Sequence, residues 1–276
     1  MSEYATCAYS IKPKPAIHQH ILKSLAAGEN LLNNNEMQQM ALLEDTYWWH
    51  VGRKSIIKNM LKSINIPSAC QIINIGCGTG GCILTLETFG RVTNYDVSGE
   101  AIRICRDKGF NNSHLFNGKK LPCDDNLFDV AAALDVLEHV ENDNDALKDW
   151  FRILKPDGRL LITVPAYQWL WSGHDEALGH YRRYTASQLH QKLNQAGFSV
   201  GKRSYAITFS FPLILGYRLL DSLRRSDRTP AASYVLLPRP VNAVLTALLK
   251  LEALLLRFMN FPVGTSVVII AKKPKQ

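Results

Sequence analysis

The segment Ile72 to Gly81, Ile-Ile-Asn-Ile-Gly-Cys-Gly-Thr-Gly-Gly, constrains this chain more than any other. Ile72, Ile73 and Ile75 read as a short buried strand, and Gly76, Gly78, Gly80 and Gly81 crowd in behind it. A helical pattern follows at Ile83, Leu84, Leu86 and Phe89. Strand, glycine turn and helix predict the opening of a βαβ unit whose free N–H groups and positive helix end face an anionic ligand. Gly76 would allow a sharp turn and Gly78 a close approach of backbone to ligand. Gly80 or Gly81 would let the helix pack on the strand.

Two ligand classes fit this turn. Gly76, Gly78 and Gly81 satisfy a dinucleotide fingerprint, which would make an NAD(P)-dependent oxidoreductase. Gly76, Gly78 and Gly80 equally satisfy a Gly-x-Gly-x-Gly turn that takes S-adenosylmethionine (SAM). Val92 to Val97 reads as the next strand and ends at Asp96, about twenty positions past the glycines, where a ribose is expected to be gripped. A carboxylate there accepts from two vicinal hydroxyls at once.

A chain of 276 residues is long enough for one large α/β domain or a core domain with an attachment. The first twenty residues lack an apolar signal core, so an intracellular, cytoplasmic protein is expected. The six cysteines form no Cys-x-x-Cys pair, which favours free thiols over disulfides or zinc. His18 and His20 are near one another but have no third ligand, and no metal is expected. The net charge is +8, yet from Gly201 onward twelve Lys/Arg face three Asp/Glu. The surplus therefore sits on the last quarter, in a leucine-rich stretch, which argues against nucleic acid as a partner.

Further along come Leu121-Pro122-Cys123-Asp124-Asp125-Asn126-Leu127-Phe128-Asp129, the apolar run Val130 to Leu134, and Asp135-Val136-Leu137-Glu138-His139-Val140. Then follows Trp150-Phe151-Arg152-Ile153-Leu154-Lys155-Pro156-Asp157-Gly158-Arg159-Leu160. Glycine turn, acidic strand end and these two blocks, in this order, resemble the class I SAM-dependent methyltransferases, within them the small-molecule branch that includes the ubiquinone and menaquinone C-methylases. The resemblance covers roughly residues 45–200 and the final strand. It implies a Rossmann-like, doubly wound α/β fold with a mostly parallel seven-stranded sheet, N-terminal helices and a helical insert before the last strand. It also implies SAM as cofactor and S-adenosylhomocysteine as product. Asn74, Gly76, Cys77, Gly78 and Gly80 would line the methionine side and Asp96 with Val97 the ribose. Asn117 and Gly118 would meet the adenine, and Asp135 with Val136 the methionine end. Asn74 and Asn117 stand where the family commonly has acids; each keeps an acceptor oxygen but brings no charge.

Three consecutive aromatics in Tyr47-Trp48-Trp49 cannot all face one core from a helix, so Trp48 and Trp49, with Arg53, are expected as a wall or lid over an acceptor. Residues 166–185 follow no helix or strand period, yet they hold aromatics, two histidines and two arginines beyond a strand's carboxyl end. That edge is where ligands sit in an open α/β sheet. Trp169, Arg182 and Tyr184 are therefore expected to bind the acceptor. If the acceptor is a hydroxyl or amine, His139, His174 or His180 would take its proton, with Tyr181 orienting.

The expected organisation is a helical lead-in with an aromatic lid (1–66), a SAM-binding core (67–204), a basic and apolar helical insert (205–262), and the last strand with its tail (263–276). The insert lacks an uninterrupted apolar stretch of about twenty residues, so it is not expected to span a membrane. Its faces suit peripheral contact with an inner membrane surface, a hydrophobic acceptor, or a second subunit in a homodimer. The expected reaction is methyl transfer from SAM to a small or lipid-linked acceptor. The remaining alternatives are the oxidoreductase and a non-catalytic SAM- or membrane-binding homologue.

Overall fold

The isoleucine run becomes β1 (Cys70–Ile75), with Ile72 facing one side of the sheet and Ile73 and Ile75 the other. This is the computed structural model of the protein, and it describes residues 36–67, 69–216 and 237–275. His18, His20 and residues 217–236 of the expected insert lie outside the described residues. β2 (Gly90–Asp96), β3 (Ser113–Leu115), β4 (Phe128–Leu134), β5 (Leu154–Pro165), β6 (Ser199–Ala206) and β7 (Ser266–Lys272) join β1 in one seven-stranded sheet. Its order is β3-β2-β1-β4-β5-β7-β6; β1 to β5 pair in parallel and β7 runs antiparallel to both its neighbours. The strand order reverses between β1 and β4. The carboxyl ends of these strands frame the crevice that such a reversal opens.

The helices that matter for the site are α1 (Glu36–Leu43), α2 (Trp48–Lys62), α3 (Ile83–Glu87), α4 (Gly99–Asp107), α5 (Asp143–Ile153), α6 (Gly173–Ala177), α7 (Ala186–Gln195) and α8 (Arg239–Leu255). The apolar stripes of α5 and α7 (Leu147, Trp150, Ile153, Leu189, Leu193) cover one sheet face. Those of α2 and α8 (Ile56, Ile57, Met60, Leu245, Leu249, Ala253) cover the other. Ser98, Asn142 and Thr185 cap α4, α5 and α7 by accepting from backbone N–H groups three residues on.

The insert's helix is built into the fold. A Cβ on Gly52 of α2 would fall 2.2–2.9 Å from the Leu249 side chain of α8, so only glycine lets the two helices approach this closely. Asn242 ties them at the end, accepting from the Trp48 N–H (2.9 Å) and donating to the Thr46 carbonyl (3.0 Å). Glu252, fully buried, accepts the N–H groups of Ile207, Thr208 and Phe209 and so holds α8 to the turn after β6.

The helical expectation after the glycine turn is corrected in length, and two further local features shape this region. The helix after the glycine turn has only five residues, because the chain turns at Thr88 to enter β2. Leu137–His139 is a single 3₁₀ turn, so His139 is not on a helix. Lys155 to Gly158 is not a free turn: it is absorbed into β5 through a register shift opposite Phe128 and Val130, with Asp157 at φ +66°.

Candidate active site

The glycine turn is shaped by its backbone. Gly76, Gly78 and Gly80 have positive φ (68°, 52° and 90°), a region that a side chain resists, whereas Gly81 does not. At Gly76 space decides as well, since a Cβ would lie 2.4 Å from Val136 Cγ2. The turn is anchored by the N–H groups of Gly76 and Cys77, both donating to the Tyr95 carbonyl. The Cys77 side chain does not face the crevice. It is buried with Ile83 and Ile102, its Sγ 3.9 Å from that of Cys105, so Cys77 can offer a ligand only backbone. The neighbouring Cys105 thiol first, then burial, push the Cys77 pKa far up, and it stays protonated.

Asp96, at the end of β2, accepts from the Gly78 N–H through Oδ2 (2.7 Å) and from the Ser98 N–H through Oδ1 (2.8 Å). Its carboxylate is thereby fixed at the mouth of the turn, with lone pairs left for two hydroxyls. Val97 is 61% exposed and its Cγ1 would sit 3.2 Å from a Cβ on Gly118, which has φ +75°. These two residues form an apolar slot with Asn117, whose Oδ1 accepts from the Lys119 N–H (3.1 Å). Asn74 is buried in the sheet and donates to Asn94 Oδ1 (3.1 Å), so its amide braces β1 against β2. Above the turn lies α1. Met40 would meet a Cβ on Gly78 at 3.3 Å, Met37 Sδ is 3.8 Å from Ser98 Oγ, and Glu44 binds both Thr79 Oγ1 (2.8 Å) and Lys108 Nζ (2.6 Å). No pattern in the sequence marked this cover.

β4 ends at Asp135, which has φ +55°, a strained setting for a non-glycine residue. Thr163 donates to Oδ1 (3.1 Å), and Arg53 of α2 reaches across to pair with Oδ2 (2.7 Å) and to donate to the Leu134 carbonyl (2.6 Å). The Arg53 guanidinium also lies over the Trp49 ring at 5.2 Å. Arg53 therefore reaches the carboxyl end of β4, while Trp49 lies under its guanidinium, partly buried against the core that α2 and α8 share. Trp48 departs from the expected wall: it is 7% exposed and packed into the core beneath α8, because a helix turns adjacent residues to different sides.

Past β5 the chain builds two clusters. Tyr167, at φ +58°, stacks on Tyr205 (5.0 Å) and Trp169 (5.3 Å), with Phe211 at 6.3 Å. Trp169 is 62% exposed and ends this aromatic wall; Tyr167, Tyr205 and Phe211 were not foreseen. The second cluster joins the 3₁₀ turn to the loop before α7 through the Tyr181 N–H, which donates to the Glu138 carbonyl (2.8 Å). His139 and His180 meet edge to face at 4.6 Å. His180 Nδ1 lies 2.9 Å from Asp175 Oδ1, and Arg183 holds both oxygens of the same carboxylate (2.7 and 2.9 Å). Burial alone would raise the Asp175 pKa, but the His180 and Arg183 bonds outweigh it and hold the group well below the usual range. As a carboxylate, Asp175 can only accept, so His180 donates from Nδ1, and Nε2 is the ring nitrogen that this bond leaves over. Desolvation of its ring, then the adjacent His180, lower the His139 pKa to about 4.

Glu138 lies behind these rings, 1% exposed, and neither carboxylate oxygen accepts a hydrogen bond from another group. Desolvation first, then the nearby Asp135 charge, push its pKa well above the ordinary value. Glu138 was visible in the sequence motif but gave no sign of being an orphaned acid. His174 lies on α6, outside this cluster. Tyr181 is exposed with the Arg182 guanidinium over its ring (5.7 Å), and Arg182 pairs with Asp143 (3.1 Å). Tyr184 departs from expectation. It is 2% exposed, and its hydroxyl donates to Asp143 Oδ2 (2.8 Å), so it braces the core and cannot touch an acceptor.

Comparison with known proteins agrees with this geometry. Residues 73–162 match the family model described as a methyltransferase domain. A demethylmenaquinone methyltransferase of Tropheryma whipplei is 30% identical over 128 residues, 45% of this chain and 50% of that one. The mitochondrial ubiquinone biosynthesis O-methyltransferase of Schizosaccharomyces pombe is 29% identical over 153 residues, 47% and 54% of the two chains. The chain thus spans about half the length of the curated relatives it matches. Among solved structures, a SAM-dependent methyltransferase from Mesorhizobium loti superposes with TM-score 0.52 at 14% identity, covering 77% of this chain and 95% of that one. At that identity the likeness is one of fold.

Proposed function

Because the chain carries a class I SAM-dependent methyltransferase domain, we propose that the protein transfers the methyl group of SAM to a small or lipid-linked acceptor. The observation that carries this reading is the crevice at the β1/β4 reversal. There Asp96 is locked to the glycine turn by Gly78, and Asp135 is held by Arg53 at the neighbouring strand end. In this reading Gly76, Gly78 and Gly80 admit the methionine part, Asp96 the ribose hydroxyls, and Val97, Asn117 and Gly118 the adenine. The methyl is already activated as a sulfonium, so the chain's residues contribute positioning and electrostatics to an in-line displacement. The Trp49–Arg53 edge and the Tyr167–Trp169 stack would flank the acceptor. His180, oriented by Asp175, would take a proton from a hydroxyl or amine acceptor.

The hydrophobic side of the reading draws on α8 and the turn after it. Val244, Leu251, Leu254 and Phe258 are exposed among the described residues (60%, 49%, 47% and 77%), with Lys250 and Arg257 beside them. No described helix is long and apolar enough to cross a membrane. Such a face suits the surface of a bilayer or a lipid-linked acceptor presented from one. A second copy of this chain is the other occupant to test.

Calorimetric titration with SAM and S-adenosylhomocysteine, with NADH alongside, tests the cofactor. Saturable binding of both adenosyl ligands and none of NADH is the expected outcome; the reverse order sinks the proposal. Radiolabelled methyl from SAM should then appear in the organic phase of a lipid extract incubated with the protein. Flotation with anionic vesicles, with sedimentation in their absence, separates membrane contact from a dimer.

A further inference from the structure

Six acidic side chains are buried among the described residues: Glu44, Asp96, Glu138, Asp143, Asp175 and Glu252. Five are compensated. Glu44 meets Lys108 and Thr79, Asp96 two backbone N–H groups, Asp143 Lys192 and Tyr184, Asp175 Arg183 and His180, and Glu252 three backbone N–H groups. Glu138 alone has both oxygens unbonded to any other group, and a buried carboxylate left so is costly. Its carboxylate is not facing apolar side chains only: one of its oxygens and one ring nitrogen each of His139 and His180 lie within 4.8 Å of one another.

The geometry points to a divalent transition-metal site made by Glu138, His139 and His180. Two imidazoles and a carboxylate are a donor set that suits zinc, cobalt or iron(II), and three protein ligands leave a coordination position open. The supporting shell is already built. Metal-bound histidines characteristically donate their other ring N–H to a carboxylate, and His180 does this to Asp175, which Arg183 holds in turn. The cluster has an outlet as well, since His139 is exposed while Glu138 closes the back. Ligand distances of about 2.1 Å imply that the three atoms draw together by roughly an ångström on binding. Sequence spacing conceals the site: Glu138 and His139 are adjacent, and the third ligand comes from beyond β5. The ion would sit near Asp135, so its open position would be available to an acceptor oxygen, which coordination would make easier to deprotonate. Coordination would then replace proton uptake by His180.

The site is tested on the full chain, stripped with a chelating resin and titrated with Co²⁺ and with Zn²⁺ by calorimetry. Visible absorption reports on the coordination of Co²⁺. One equivalent of each ion should bind. Glu138→Gln and His180→Gln should each weaken Co²⁺ binding at least tenfold, whereas His114→Gln should leave it unchanged. Absence of saturable binding to folded wild-type protein overturns the assignment, as does binding that survives both variants. Should the variants not fold, wild-type protein is enough. Co²⁺ should broaden the imidazole signals of His139 and His180 in an NMR spectrum before those of other histidines, and broadening elsewhere first refutes the site. SAM titration of the metal-free protein is a separate measurement, so failure of the metal site and failure of the methyltransferase reading are told apart.

Discussion

Removing the Asp96 carboxylate should damage cofactor binding far more than it damages the fold. The side chain is 7% exposed, and each oxygen already takes one backbone N–H, from Gly78 at 2.7 Å and Ser98 at 2.8 Å. Hydrogen bonds to a charged group contribute about 1.5–3 kcal/mol each, and ribose hydroxyls would be held by this one carboxylate. Asp96→Ala should therefore cost about 2–3 kcal/mol of SAM affinity, a roughly 30- to 150-fold rise in Kd. The turn would also lose its anchor at Gly78, a stability loss of about 1–2 kcal/mol from two N–H groups left to water or to nothing. Asp96→Asn keeps the size and one acceptor oxygen but turns an NH₂ toward the other donor, and should lose roughly tenfold in affinity. Calorimetry gives the affinities, and urea melts at fixed pH give the stabilities. If both variants are folded and bind SAM within about twofold of wild type, the cofactor does not lie at this strand end, and the assignment of the crevice is wrong.

Four other outcomes are expected. Gly52→Ala places a methyl against Leu249 where the backbones of α2 and α8 leave no room, and should lower stability by about 1–3 kcal/mol in a thermal melt, part of which Leu249→Ala restores. Arg53→Gln strips Asp135 of its ion pair, and should reduce turnover by more than tenfold while SAM affinity changes less, as separate kcat and Kd measurements will show. Glu252→Ala orphans three N–H groups after β6 and should destabilise by about 3 kcal/mol in urea melts. His50 supplies the pH test. Burial first, then the Arg53 and Lys54 charges, lower its pKa from 6.5 to about 3, so the folded protein refuses a proton that the unfolded chain accepts. Its contribution is complete well above pH 6.5 and is lost as pH falls toward 3, by roughly 3 kcal/mol at pH 4.5; His50→Phe should flatten that part of the stability profile.

The residues that could be read in the sequence are those whose chemistry is local. Gly76 and Gly78 must be glycine because the turn needs positive φ beside Val136, and Asp96 ends the next strand at the distance a nucleoside sets. The helices and strands were legible for the same reason: their periods are properties of a dozen neighbouring residues. What could not be read depends on partners far away in the chain. Trp48 and Trp49 are the same residue type one position apart, yet one is buried in the core under α8 and the other, only partly buried against it, lies beneath the Arg53 guanidinium. Tyr184 and Tyr181 divide in the same way, the former committed to Asp143 and the latter exposed. Residue type alone cannot tell an aromatic that lines a ligand from one that fills a core.

Charge exposes what pattern hides. The other acids at the carboxyl edge of this sheet, half-buried or buried, are matched by a basic partner: Asp135 by Arg53 of α2, Asp143 by the α7 lysine Lys192, Asp175 by Arg183. Such matching is expensive to assemble, since each pair must recover its own desolvation. A chain that pairs these acids and leaves Glu138 without a hydrogen bond from any other residue, beside two imidazoles, has left that partner to something outside itself. A proton would suffice for Glu138 alone, but it would not explain why His180 is held by Asp175 while a ring nitrogen of each histidine lies within 4.8 Å of the same carboxylate. A cation accounts for both, and Co²⁺ binding that fails in Glu138→Gln while SAM binding persists would separate it from the proton.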